Sequence, residues 1–302
     1  MTVAGLVDPP GRQGPGPMPA SAVAALDLRL VRRAESPLPG EHLGSGVGDG
    51  TELAQIRPYL VGDDVRRLDA AASARTGEPQ VRQQVPDRAL TTWLVLDRSP
   101  SMAFGTADRL KSDVADGVAS VVARLAIRRG GRIGMLTFGA PVTRMLPPRG
   151  GRGALGPVAR VLTEGVAPDG HDEPQALREV LERLVKLARR PGLVVVVSDF
   201  REDSNWARPL GMLGARTRVV AVEVADPREH DLPDAGMLAV VDPETGELVE
   251  VDTSASRLRA EFAAAERERR EALAARLRRG RARHVELSTA GDWLRELGRG
   301  LR

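Results

Sequence analysis

From residue 91 onward the apolar positions fall into two alternating patterns, short uninterrupted runs and longer periodic ones. Thr91-Thr92-Trp93-Leu94-Val95-Leu96 is an uncharged run of strand length that stops at Asp97. Leu110, Val114, Val118, Val121, Val122 and Leu125 recur at helical spacing and mark one face of a long helix, halted by Gly130-Gly131. Arg132–Phe138 reads as a second buried strand, and Val142–Leu146 as a short edge strand ending before Pro147-Pro148. Leu155, Val158, Val161 and Leu162 predict one helix; Leu177, Val180, Leu181, Leu184 and Val185 predict another, closed by Pro191-Gly192. Leu193–Val197 is the most apolar strand of the chain and runs directly into Ser198-Asp199. A short helix near Trp206–Leu213 precedes a further buried strand, Thr217–Val224.

Strands that are apolar on both sides, alternating with amphipathic helices, specify an α/β domain whose parallel sheet is covered on both faces. The tail changes character. Met237–Val241 and Glu247–Val251 flank Asp242-Pro243-Glu244-Thr245-Gly246, the pattern of a hairpin with a glycine-containing turn. A helix from about Ser254 to Arg279 follows, with pairs such as Glu266 and Arg270 one turn apart. His284–Leu287 predicts a last strand, leading into a helix capped by Thr289 with Asp292 in its first turn. Ahead of the regular region, residues 1–19 are rich in glycine and proline and read as disordered. Val23, Leu26 and Leu30 suggest a short helix ending near Arg33, and Ser36–Gly50 reads as loop. The expected segments are therefore 1–19, an N-terminal helix and polar belt over 20–84, the α/β domain over 85–225, and a hairpin with helices over 226–302.

Composition narrows the chemistry. The 302 residues contain no cysteine, which excludes disulfides, thiolate metal sites and cysteine nucleophiles, and the 4 histidines are too scattered for a local multi-histidine zinc motif. Lys plus Arg total 44 against 41 acidic residues. Lysine occurs only at 111 and 186, so the basic isoelectric point reflects arginine rather than a large excess of charge. Eight aromatic residues (3 Trp, 1 Tyr, 4 Phe) are too few for base-stacking platforms, which makes nucleic acid an unfavoured partner. No apolar run reaches the ~20 residues of a membrane span. The opening segment also lacks the basic and apolar regions of a secretory signal, so a cytoplasmic chain is expected.

In an open doubly wound sheet, ligands bind at the carboxyl ends of the strands. Two acidic residues fall there, Asp97 and Asp199. Asp97 begins Asp97-Arg98-Ser99-Pro100-Ser101, which puts one carboxylate and two hydroxyls on a single loop. That set of hard oxygens with low total charge suits Mg²⁺ or Mn²⁺ retaining several waters. The same three side chains could instead cap the helix region Asp108–Arg129 and satisfy the loop backbone.

Asp97-x-Ser99-x-Ser101 after one buried strand and Ser198-Asp199 after another resemble the metal-ion-dependent adhesion site of von Willebrand factor A domains. Tyr59-Leu60-Val61-Gly62-Asp63-Asp64-Val65-Arg66-Arg67-Leu68-Asp69 with Ser73-Ala74-Arg75 resembles the segment preceding such domains in bacterial proteins of the domain of unknown function 58 family. Leu38-Pro39-Gly40, Ser198-Asp199-Phe200, Asp242-Pro243-Glu244-Thr245-Gly246 and Leu287-Ser288-Thr289 with Asp292-Trp293 extend the likeness over most of residues 36–302. The resemblance implies a Rossmann-like, mostly parallel sheet with an N-terminal extension and a C-terminal hairpin plus helices. It also implies a metal held by Ser99 and Ser101 with the aspartates assisting through water. Two positions depart from the family pattern: Gly170-His171-Asp172 carries His171 where a threonine ligand is expected, and Ala70 stands where tryptophan is usual. Histidine is a poor Mg²⁺ ligand but can hold Mn²⁺ or Zn²⁺, so His171 is either a ligand or an exposed loop residue.

The resemblance further implies a MoxR-type AAA+ ATPase as partner in a bacterial chaperone-like system. The expected function is a non-enzymatic interaction module whose open metal position accepts a partner carboxylate. Two other classes compete. One is a metal-dependent hydrolase, for which the chain lacks a poised nucleophile–base pair and a glycine-rich phosphate loop. The other is a nucleic-acid binder using the arginine-rich helix 257–283.

Overall fold

The computed structural model describes residues 53–60, 63–84 and 90–301, together with Pro17. The expectations of a disordered start, a helix at Val23–Leu30 and a loop at Ser36–Gly50 lie outside the described residues. The chain divides into two compact units, residues 35–89 and the remainder.

In the smaller unit, β1 (Leu53–Pro58) and β2 (Gln80–Gln84) pair antiparallel, and helix α1 (Ala70–Thr76) lies between them in sequence. The polar belt explains the local structure. The Asp63 carboxylate accepts two hydrogens from the Arg57 guanidinium, at 2.7 and 2.8 Å, and one from the Leu60 amide at 2.8 Å. The Arg57 bonds, ahead of the Leu60 amide, hold its carboxyl down at about 2. Asp64 accepts the Arg66 N–H at 3.0 Å and caps a single 3-10 turn; Asp69 accepts the Ala72 N–H at 2.9 Å and caps α1. Gly77 ends α1 at φ 75°, a conformation that glycine adopts without a Cβ penalty.

The larger unit is built on a six-stranded sheet. Its strands are β3 (Thr91–Asp97), β4 (Arg132–Phe138), β5 (Met145–Gly150), β6 (Gly192–Ser198), β7 (Arg218–Ala225) and β10 (Ala282–Ser288). They lie in the order β10-β7-β6-β3-β4-β5, all parallel except β5. The helices are α2 (Lys111–Arg128), α3 (Leu155–Leu162), α4 (Ala176–Leu187), α5 (Ala207–Gly214), α6 (Ser256–Arg279) and α7 (Trp293–Gly300). Alternation along each strand divides the core in two. Leu94, Leu96, Val195, Val197 and Val222 pack toward α2, α3 and α7. Trp93, Val95, Val194, Val196 and Ala221 pack toward α4, α5 and the end of α6. Each fully buried Leu or Val of this kind contributes about 1.5–3 kcal/mol relative to an exposed position. This is a doubly wound α/β fold on a mostly parallel sheet, the class that the strand and helix pattern predicts.

Two expectations are corrected. The edge strand runs over Met145–Gly150, through both prolines, rather than stopping before them. Met135 pairs with Leu146 and Ile133 with Arg149, and a register shift between them absorbs Pro147-Pro148. An edge strand needs only one hydrogen-bonded side, so lost proline donors are tolerated there. The last helix is capped by Asp292, which accepts the Arg295 N–H at 3.1 Å, and not by Thr289. The Thr289 hydroxyl instead donates to Asp226 at 2.6 Å, the charged acceptor winning over a helix end.

The predicted hairpin forms as β8 (Met237–Val241) and β9 (Leu248–Asp252), a two-stranded sheet of its own. No helix among the described residues is long and apolar enough to cross a membrane.

Candidate functional site

The sheet order reverses between β3 and β6, because β4 lies on one side of β3 and β6 on the other. The crevice at the carboxyl ends of these two strands is where a doubly wound sheet binds its ligands. Leu96 pairs with Val197, so Asp97 and Ser198-Asp199 emerge together. Both aspartates are buried.

The Ser198 hydroxyl donates to Asp97 Oδ2 at 2.5 Å, and the Ser99 N–H donates to Asp97 Oδ1 at 2.9 Å. Ser99 Oγ and Ser101 Oγ are 3.1 Å apart. Asp97 thus satisfies the loop backbone, as the alternative reading anticipates, while the paired hydroxyls remain at the mouth. Helix α2 begins after Leu110, which has no side-chain cap, so the three residues do not cap it. Gly139, at φ 73°, covers the loop closely. A Cβ there would stand 2.9 Å from Ser99 Cβ and 3.1 Å from Asp97 Oδ1.

On the other side, Phe200 sits at φ 52°, an uncommon conformation for a bulky residue. It lets the Phe200 N–H reach Ser198 Oγ at 3.0 Å and the Arg201 N–H reach Asp199 Oδ1 at 3.2 Å. Phe200 itself is fixed by Trp206, ring centroids 5.6 Å apart.

The charges separate into served and unserved carboxylates. The Lys111 ammonium, fully buried, donates to Asp199 Oδ2 and to Glu229 Oε1, both at 2.7 Å. Burial works against ionisation of Asp199, but the Lys111 charge and hydrogen bond outweigh it and hold the carboxyl well below the usual range. Asp97 has no such cation. Burial first, and then the Asp199 charge, push it up to about 6, against the hydrogen bonds from Ser198 and Ser99.

A third carboxylate comes from the hairpin turn. Glu244 Oε1 accepts the Ser101 N–H at 3.3 Å. Burial, followed by the charge of Asp97, pushes its carboxyl up to about 7.

Of the residues singled out in the sequence, Asp97, Ser99, Ser101 and Asp199 therefore gather at one point. His171 is not joined to them by any described hydrogen bond or ion pair. It lies in the loop after α3 with Nε2 3.4 Å from Glu173 Oε1. Among the described residues no three His, Cys, Asp or Glu side chains form a metal cage. What converges is a hydroxyl-rich oxygen set with two carboxylates, Asp97 and Glu244, lacking a described cation partner. That set fits a hard divalent cation that keeps part of its water.

Lys111, Glu229, Glu244, Ser198 and Gly139 escaped the sequence reading as site residues. Lys111 left a signal: it falls on the apolar stripe of α2, three and seven residues before Val114 and Val118. A lysine on a buried face demands an acidic partner. Glu244, far from Ser101 in sequence, left none in spacing or periodicity.

A protein-family profile described as "Protein of unknown function DUF58" matches residues 55–272. Uncharacterized protein Rv1480 of Mycobacterium tuberculosis is 41% identical over 231 residues, covering 76% of this chain and 72% of its own. Among solved structures, the conserved hypothetical protein BatB from Bacteroides thetaiotaomicron aligns over 70% of this chain and 97% of its own, at 13% identity and a TM-score of 0.43. The SpRpn10 VWA domain aligns over 69% of this chain and 93% of its own, at 14% identity and a TM-score of 0.36.

Proposed function

The chain belongs to the DUF58 family, and from that premise we propose that it is a non-enzymatic protein-interaction module using an adhesion-type metal site. The observation that carries the reading is the convergence of Asp97, Ser99 and Ser101 with Asp199 at the sheet's switch point. Ser99 and Ser101 would hold Mg²⁺ or Mn²⁺, with Asp97 and Asp199 orienting its waters. Bound there, the cation supplies an open coordination position for a carboxylate from another protein, a short and directional contact. His171 stands at the position where the third ligand is expected, with its Nε2 3.4 Å from Glu173 Oε1.

The partner we assign is a MoxR-type AAA+ ATPase, in a chaperone-like role in the cytoplasm. The arginine-rich helix supports the protein partner over nucleic acid. Arg269 is engaged by Glu266 and Glu223, Arg270 by Glu286, Arg257 by Glu261, and Arg276 lies over the Trp206 ring. Arg269, held by the buried carboxylates Glu223 and Glu266, and Arg276, stacked on Trp206, are the least free of these to release counterions on a phosphate backbone.

Titration calorimetry with Mg²⁺ and Mn²⁺ on wild type and Asp97→Ala tests the site. Heat from the wild type alone is expected, and equal heats, or none from either, would remove the metal. Co-purification of the ATPase should weaken in Ser99→Ala, and metal-dependent phosphoester hydrolysis lost in Asp199→Ala would move the chain to the enzymes.

A further inference from the structure

The turn Asp242-Pro243-Glu244-Thr245-Gly246 resembles a family motif to which the reading above gives no role. The structure shows where it goes. The β8–β9 hairpin is an isolated two-stranded sheet that exposes Met237, Val241 and Leu248 to solvent, so its body is not anchored in the core. Its turn, by contrast, is held at two points across the mouth of the site. Gly170 N–H donates to Pro243 O at 2.8 Å, on the loop where the third metal ligand is expected. Ser101 N–H donates to Glu244 Oε1 at 3.3 Å, on the loop that carries the two hydroxyls. Asp242 stiffens the turn between them, accepting the Glu244 N–H at 2.9 Å. Gly246 packs beside Gly170, a Cβ on it standing in van der Waals contact 3.6 Å from the Gly170 Cα.

A carboxylate is thereby delivered by the chain itself to the place where a metal on Ser99 and Ser101 would present its open position. We propose that the β8–β9 hairpin is a self-ligating latch, with Glu244 occupying in cis the position that a partner's carboxylate takes in the complex. This deepens the metal-site reading and rests on it. The recognition element of the partner is then an acidic residue on a projecting turn, the chemistry of Glu244 repeated in trans. Binding requires exchange of one carboxylate for another and movement of the hairpin away from the mouth. The hairpin suits that movement, since a lone two-stranded sheet is marginally stable by itself and opens at low cost.

Without a cation, Glu244 faces the like charges of Asp97 and Asp199. With one, all three carboxylates would be drawn together, so metal binding would tighten the latch that the Ser101 and Gly170 amides already hold. Hydrogen exchange over residues 237–252 reads this directly, with Mn²⁺ alone as the probe and its binding followed separately by electron paramagnetic resonance. In the wild type, Mn²⁺ is expected to slow exchange of the turn amides roughly ten-fold, the factor a single charge-assisted bond supplies. Glu244→Gln keeps an acceptor for the Ser101 N–H but loses the charge. It should slow metal-free exchange slightly, by relieving the repulsion from Asp97 and Asp199, and abolish the Mn²⁺ response. Glu244→Ala should speed exchange even without metal. Mn²⁺ binding to the wild type with no change in hairpin exchange, or an undiminished response in Glu244→Gln, overturns the latch and leaves the metal site standing. Absence of Mn²⁺ binding in the wild type overturns both.

Discussion

Replacing Lys111 by methionine tests the electrostatic core of the site most severely. The substitution keeps the buried stem and removes only the ammonium, which donates to Asp199 and Glu229 at 2.7 Å each from a fully buried position. Desolvation depresses a buried lysine, yet the two carboxylates more than offset it, and Lys111 is held above its ordinary pKa. Removing one member of a buried ion cluster leaves the others unpaired and costs roughly 3–5 kcal/mol. Arg201 Nε, 3.1 Å from Glu229, offers partial compensation and favours the lower end of that range. For a unit of this size the loss corresponds to a melting temperature lower by on the order of 10 °C. Urea unfolding of wild type and Lys111→Met at neutral pH measures it. The deficit should also shrink as pH falls toward about 5, because the stranded carboxyls then carry raised folded-state pKa values and regain stability on protonation. A loss below about 1 kcal/mol, or one that grows in acid, would show that Lys111 is not the counter-charge of Asp199.

Three further outcomes follow from the same geometry. Gly139→Ala combines a left-handed backbone with a Cβ 2.9 Å from Ser99 Cβ; it should cost about 1–3 kcal/mol and lower Mn²⁺ affinity, whereas unchanged calorimetry would mean the loop does not depend on that close approach. Asp97 and Glu244 are raised to about 6 and about 7, so the metal-free folded state binds more protons than the unfolded chain between about pH 4 and 7. Their contribution falls as pH rises through that window, and melts in chelator should rise from pH 7.5 to about 5.5; a flat or opposite trend refutes it. Arg270→Ala removes a half-exposed pair with Glu286 and should change stability by under about 1 kcal/mol in thermal melts, in contrast to Lys111→Met.

The strands that make the site were the easiest part of the chain to read, and for one reason. Leu94-Val95-Leu96 and Val194-Val195-Val196-Val197 are buried on both faces, so they lack polar interruptions, and each ends where the first polar side chains, themselves buried, enter the crevice. Asp97 and Asp199 are therefore legible as strand-end carboxylates. β5 runs past its prolines because proline is a reliable stop only where both strand sides are paired. Thr289 leaves the helix start because its hydroxyl is taken by Asp226, which lies at the end of another strand and is invisible to local spacing. Glu244 stands within the Asp242-Pro243-Glu244-Thr245-Gly246 motif, but its role there is illegible. Its meaning depends on where a hairpin tip lands, a long-range contact that spacing and hydrophobic period do not encode.

The division of charge at the switch point gives the site its logic. Asp199 is neutralised internally by Lys111, so it can orient Ser101 and water without demanding a metal. Asp97 and Glu244 have no cation of their own among the described contacts; burial and the Asp199 charge raise the first, and burial and the Asp97 charge raise the second. On the proposed reading, a divalent cation relieves both at once. Its affinity is then coupled to the hairpin, and a partner carboxylate inherits that coupling when it replaces Glu244. Linkage makes the coupling reciprocal: whatever factor the metal adds to partner affinity, the partner adds to metal affinity. Glu244→Ala removes the internal competitor. It should weaken Mn²⁺ binding measured alone and strengthen binding of a purified MoxR-type ATPase measured at saturating Mn²⁺. Both effects moving in the same direction would be incompatible with one carboxylate standing in for the other, and would separate a fixed structural contact from an exchangeable ligand.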